Sequence, residues 1–262
     1  MTEIVKYDNY MNNLRFKSFT TTDFNFLMVL CSKLRDKDVS EIVLSFEELR
    51  LRTGYKQTSV NKFVDDLERM NKKLMEITCS LKTESKIIMF VLFPTFEIDL
   101  ENQILIVSVN KKFKFILNEL IKNFTRFELN EFIELDSKYT KSLYRLLKQY
   151  RSTGRYEVAI EKFREVMDIP KSYTNRDVMS KVINMSLKEL DYHFQNLQCK
   201  PKYAHKRGKP VIGYIFTFTP ESRVIEADQS QQQKQNGFAN FHQREYDYDS
   251  LEKELLNNQN NS

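Results

Sequence analysis

Between Lys200 and Lys209 the chain carries five basic residues, Lys200, Lys202, Lys206, Arg207 and Lys209, and no acidic one. A hairpin that is merely solvated usually mixes charge signs, because like charges opposite one another repel. A run of one sign suits a polyanion, and Gly208 within it allows a tight turn whose backbone approaches a phosphate. A second set lies on the segment 175–190. There Met179, Val182, Ile183, Leu187 and Leu190 share an apolar face at helical spacing, leaving Arg176, Ser180, Lys181, Asn184 and Lys188 aligned on the other. Such side chains reach base edges and phosphates in a major groove, Arg and Lys at guanine and Asn at adenine. The row also suits an ordinary solvated helix face; the basic hairpin favours the nucleic-acid reading. A third row, Lys138, Lys141, Arg145 and Lys148, is expected on the polar face of a helix over 137–151, with solvation preferred to phosphate contact.

Groups for catalysis are sparse. There is no GxxxxGK[ST] stretch to cradle phosphates, and the five glycines at 54, 154, 208, 213 and 237 are isolated. A rolling-circle nickase would need clustered histidines holding a metal beside a tyrosine, whereas His193, His205 and His242 stand in separate contexts. The adjacent pairs Asp65–Asp66 and Glu47–Glu48 point in different directions on helices. Cys31, Cys79 and Cys199 form no CxxC pattern, so neither a disulfide framework nor a zinc site is indicated. The expectation is no catalytic residue, no metal, no cofactor and no enzymatic activity. The N-terminus lacks the apolar core of a signal peptide. The longest apolar run, IIMFVLF at 87–93, is far short of the ~18 residues of a membrane span. A cytoplasmic protein without a membrane partner is expected.

The elements that position these residues repeat. Residues 21–36 have helical spacing with Thr22 as the expected N-cap; EIVLSF is a strand; Ser45 to Glu48 has capping-box form and opens a short helix ending near Gly54; a second helix begins at Thr58. The segments MEITCSLKT, SKIIMFVLF and QILIVSV read as strands. The order recurs as a helix over 137–151, the strand YEVAI, the short helix EKFREVMDI, and a turn at Pro170. A longer helix capped by Thr174 and Asp177, then the strands LQCKPKY and PVIGYIFTF, complete it. The pattern predicts an α+β fold of two tandem winged-helix domains, each with a helix-turn-helix and a β-hairpin wing, over residues 1–123 and 124–225. Residues 226–262 are glutamine-rich and are expected to be a disordered acidic tail. They hold three basic and seven acidic side chains, so the overall charge of +5 leaves +9 on residues 1–225. That balance attracts polyanions, and equally serves solubility.

The first unit mixes acids and bases along its second helix and advertises no base reading. Its strand residues Ile87, Ile88, Met89, Phe90, Val91, Leu92 and Phe93 are apolar without alternation, so both faces of what reads as a middle strand call for burial. Self-association through this strand is the expectation, with packing inside the chain as the alternative.

The stretch from FELNEFIELDSKYTKSLYRLLKQYR to the hairpin KRGKPVIGYIFTF resembles the initiator (Rep) proteins of bacterial theta-replicating, iteron-containing plasmids. The resemblance rests on SLYRLL at 142–147, FRE at 163–165, Tyr173, ELDYHF at 189–194 and Gly208 before the last aromatic strand. It implies two winged-helix domains, the second placing helix 175–190 in the major groove of a direct repeat. It further implies that the first reaches the other end of the repeat and mediates a dimer that can repress the initiator's own gene. Double-stranded DNA, at origin iterons and the chain's own operator, a second copy of the chain, and host initiator and helicase or helicase-loader proteins are the partners so implied. A winged-helix transcriptional regulator without origin function is the alternative.

Overall fold

The computed structural model describes residues 3–34, 41–82, 85–110, 117 and 123–221; the tail expected over 226–262 lies outside them. The first half runs β1 (Ile4–Asp8), a 3-10 turn (Asn9–Asn13), α1 (Thr21–Leu34), β2 (Glu41–Ser45), α2 (Phe46–Thr53) and α3 (Val60–Met75). The strands β3 (Thr78–Lys82), β4 (Ile87–Val91), β5 (Thr95–Asp99) and β6 (Ile104–Ser108) follow. The second half runs β7 (Phe124–Glu128), α4 (Leu129–Glu134), α5 (Lys138–Gln149), β8 (Arg155–Ala159), α6 (Ile160–Val166), a helix α7 over 175–190, β9 (Gln198–Tyr203) and β10 (Val211–Thr217).

Local chemistry accounts for the helix ends. The Ser45 hydroxyl accepts from the Glu48 N–H at 3.1 Å, and Gly54 closes α2 with φ 64°. Ser59 caps α3 through the Lys62 N–H. The α1 cap lies two residues before the expected Thr22: Thr20 and Asp23 satisfy each other's backbone N–H groups reciprocally.

The repeat read from the pattern exists as topology. Each half has a three-stranded antiparallel sheet in which the first strand pairs with the last and the last with the penultimate, β2-β6-β5 and β8-β10-β9. The position of IIMFVLF is corrected. It is not the middle strand of the first wing: β4 pairs with β3 as a separate two-stranded hairpin inserted before the wing, from Thr78↔Val91 to Lys82↔Ile87. The wing strands are β5 and β6. The sequence TFEID of β5 escaped detection because its two acids have low strand propensity.

Two further unread strands, β1 and β7, pair with each other from Ile4↔Glu128 to Asp8↔Phe124 and bind the start of the chain to the second half. Val5, Tyr7, Thr125 and Phe127 face inward at alternate positions. Phe127 meets Tyr7 edge-on with centroids 6.0 Å apart and Phe132 meets Phe24 edge-on at 6.5 Å, so the joint between the halves is aromatic. Residues 1–222 accordingly form one compact unit.

The helix α5 overturns the expected solvated row. Lys141, Arg145 and Lys148 are buried. Arg145 lies over the rings of Phe16 at 4.6 Å and Phe24 at 5.4 Å, and its guanidinium donates to Asn12 Oδ1 at 3.4 Å. Asn12 in turn donates to Thr125 Oγ1 at 2.8 Å and accepts from the Tyr7 hydroxyl at 3.1 Å. Burial lowers the Arg145 pKa. Lys141 donates to the carbonyls of Phe132 and Ile133, closing the end of α4. Lys148 pairs with Glu221 at 2.8 Å. The cations of α5 are packing groups because other segments cover faces that helical spacing alone would leave to water: the 3-10 turn, Phe16 and α1 over Arg145, α4 over Lys141, and Phe194 with Glu221 over Lys148.

Burial pushes Lys141 down to about 7, against the opposing charges of Glu189 and Asp136. The unfolded chain holds this proton up to about 10.4. Between the two values the unfolded state binds more protons, so the site's contribution to stability rises with pH; the penalty is fully present below pH 7. The difference in urea midpoint between wild type and Lys141→Met is therefore expected to shift in favour of wild type from pH 7 to pH 9.5. Arg145→Ala is expected to cost about 3–5 kcal/mol by leaving a cavity under two phenylalanines. Arg145→Met, which fills the space without a buried charge, should cost far less in the same unfolding measurement.

Candidate nucleic-acid interface

The helix α7 opens with a capping box: Thr174 Oγ1 accepts from the Asp177 N–H, and Asp177 accepts from the Thr174 N–H at 3.0 Å. It then widens into a π-helical turn at Val178–Ile183, where the Asn184 N–H reaches back to the Met179 carbonyl, and resumes as an α-helix over Asn184–Leu190. Val178, Val182, Ile183, Ser186 and Leu190 are buried, with Met179 and Leu187 half-buried. Ser186 meets Thr140 of α5 through hydroxyls 3.3 Å apart, a close approach that two small side chains permit.

All five residues expected on the outer face, Arg176, Ser180, Lys181, Asn184 and Lys188, are exposed. They are not equally available. The Lys181 ammonium pairs with Asp177 at 2.7 Å and lies 5.2 Å from the centre of the Tyr173 ring. Asp177 is held well below the usual carboxylate range by its hydrogen bonds from Lys181 and Thr174. The Ser180 hydroxyl donates back to the Arg176 carbonyl at 2.9 Å. Arg176, Asn184 and Lys188 have no side-chain partner among the described residues. Met185, which the sequence pattern did not single out, is 58% exposed among them.

The basic hairpin is β9–β10. Its tip turns at 206–209 with the Lys209 N–H bonded to the Lys206 carbonyl at 2.9 Å, and Gly208 has φ 82° with open space around it. Lys200, Lys206, Arg207 and Lys209 are exposed and pair with no described residue. Lys202 differs, because it reaches across the sheet to Glu157 at 2.6 Å. It can do so over Gly213, where β10 bulges and a Cβ would stand 2.4 Å from the Val158 carbonyl oxygen. The first wing contrasts in charge: its turn is organised by Asp99, which accepts from the Asn102 backbone and amide at 2.8 and 2.7 Å, and contains Glu101 but no base.

A cleft of about 690 Å3 opens beside the turn leading into α7, lined among others by Arg15, Lys17, Lys138, Asp168 and Lys171. Asp168 spans it, binding Arg15 at 2.9 Å and the Ser18 N–H at 2.9 Å. On the strand proposed for self-association, Phe90, Leu92 and Phe93 are buried within the chain, Ile88 and Val91 are half-buried, and Ile87 and Met89 are each 67% exposed. Among the described residues no group of three His, Cys, Asp or Glu side chains could hold a metal ion, and no helix is long and apolar enough to cross a membrane.

Residues 4–148 match the WH1 domain of the Initiator Replication protein family, and residues 159–218 match the WH2 domain of the Initiator Rep protein. This chain belongs to the initiator replication protein family. It is 38% identical over 228 residues to a "Probable replication protein rep" of Bifidobacterium longum (strain NCC 2705), covering 86% of this chain and 76% of that relative. The initiator fold is shared with the Pi initiator protein, whose crystal structure was determined in complex with iteron DNA. The TM-score is 0.64 at 13% identity, over 84% of this chain and 98% of that one. The chain is thus a member of a replication-initiator family built from two winged-helix domains.

Proposed function

We propose that this initiator binds repeated double-stranded DNA, the iterons of a plasmid origin, with α7 in a major groove and the β9–β10 wing along the backbone. The observation that carries this reading is the joining in one unit of an exposed row, Arg176, Asn184 and Lys188, with a wing tip whose Lys206, Arg207 and Lys209 have no side-chain partner among the described residues. Such cations replace counterions on phosphate, while the helix row meets base edges. Lys181 has to loosen its pair with Asp177 to join in, and Lys202 is largely committed to Glu157. Lys17 and Lys171 of the cleft add charge beside the start of α7. In this scheme residues 124–225 are the main reading unit, and residues 1–123 supply auxiliary contact and self-association. The work is binding and positioning, with no catalytic step of the chain's own.

Titration against the chain's own upstream region and a scrambled duplex, at two salt concentrations, tests the reading. Stepwise, salt-sensitive occupancy of a repeated element is expected; equal affinity for both duplexes would overturn it, and occupancy of a single operator would favour a regulator without origin function. The triple variant Lys206→Ala, Arg207→Ala, Lys209→Ala should weaken binding to both duplexes and reduce the salt slope by about three. Lys202→Ala should change it little.

Self-association is supported by the exposed Ile87 and Met89 on the two-stranded β3–β4 hairpin, whose β3 edge is met at Ser80 by the Tyr10 hydroxyl. Ile87→Lys with Met89→Lys is expected to shift sedimentation toward the monomer without loss of folding, because neither side chain belongs to the chain's own core. An unchanged oligomeric distribution would move the interface elsewhere.

A further inference from the structure

The π-helical turn in α7 decides which residue stands at the centre of its outer face. In an unbroken α-helix with Val178 and Val182 inside, the 3.6-residue repeat would bring residues 185 and 189 inside next. The extra residue taken up by the turn, marked by the bond from the Asn184 N–H to the Met179 carbonyl, moves the buried register on by one. Ser186 and Leu190 are fully buried instead, and Met185 is turned outward to 58% exposure. It lies within one helical turn of Lys181, Asn184 and Lys188, all exposed, so an apolar, unbranched side chain stands in the middle of a polar and basic patch.

We propose that Met185 is a base-reading residue that packs on the C5-methyl group of a thymine in the major groove. The inference rests on the DNA-binding reading above and adds to it the base class that the helix centre selects. The thymine methyl is the apolar feature of the major-groove edge. A thioether on three rotatable bonds adapts to its position. Asn184, the adjacent residue, presents an amide suited to the N6 and N7 of an adenine, so the pair selects an A·T-containing step. The small Ser186 under α5 holds this register: its hydroxyl lies 3.3 Å from that of Thr140, and a larger side chain there would push α7 outward.

The test is a uracil-for-thymine scan of the bound repeat, which removes one methyl group at a time and leaves the hydrogen-bonding edge intact, with wild-type protein and Met185→Ala. Wild type should lose roughly fourfold in affinity at one thymine, the value of one buried methyl. Met185→Ala should bind the unmodified repeat more weakly by at least that factor and lose nothing further at the same uracil. Because Met185 lies outside the core, circular dichroism of the variant should match wild type. Equal affinity of the two proteins for the unmodified repeat, or the same uracil penalty in both, would overturn the assignment while leaving iteron binding intact. A wild-type protein without preference for its repeats would remove the underlying reading, and the assignment with it.

Discussion

A guanidinium buried between two phenylalanine rings is the constraint on which the arrangement of the halves depends. Arg145 comes from the second half, Phe16 and Phe24 from the first, and Asn12 ties the guanidinium to the pairing of β1 with β7. Among the described residues no carboxylate pairs with it, so its charge is held by ring faces and an amide. A desolvated cation over an aromatic face gains about 2 kcal/mol or more, and an isolated buried charge is otherwise costly. The rings therefore have to stay where they are, which fixes the loop leading into α1 against α5.

From this joint α5 serves as a spine. Its Lys141 closes α4, Lys148 holds Glu221 beyond β10, and Thr140 lets Ser186 of α7 come close. The position of the exposed helix row is thus linked through one element to the packing of the first half. The wing is set independently, by the β8-β10-β9 sheet and the bulge at Gly213, where a backbone oxygen leaves no room for a side chain. A rigid helix and an independently anchored hairpin suit a surface in which one element reads and the other holds. The acidic turn of the first wing sets it apart in charge from the second, although the two sheets share one strand order.

Much of this was legible in the residues. Ser45, Gly54, Thr174 and Asp177 announce helix ends because capping chemistry is local, and the order of helix, strand, helix pair and hairpin announces the repeated fold because hydrophobic period reports local conformation. The outer row of α7 and the basic tip at 206–209 were visible for the same reason. The strands β1, β5 and β7 were not, since five-residue alternations near turns carry little signal without their partners.

What the sequence by itself determined, then, is the element order, the caps, the basic wing and the polar row of α7, all of which depend on neighbours a few positions apart. Only the tertiary structure decided that Lys141, Arg145 and Lys148 are interior, that IIMFVLF forms an inserted hairpin, and that Lys181 and Lys202 have partners in the chain. It also decided that Met185 faces outward. Each of these depends on what covers a face or on one residue of helical register. Burial by a segment over a hundred residues distant, and a π turn that trades one hydrogen-bond pattern for another, leave no mark in local spacing.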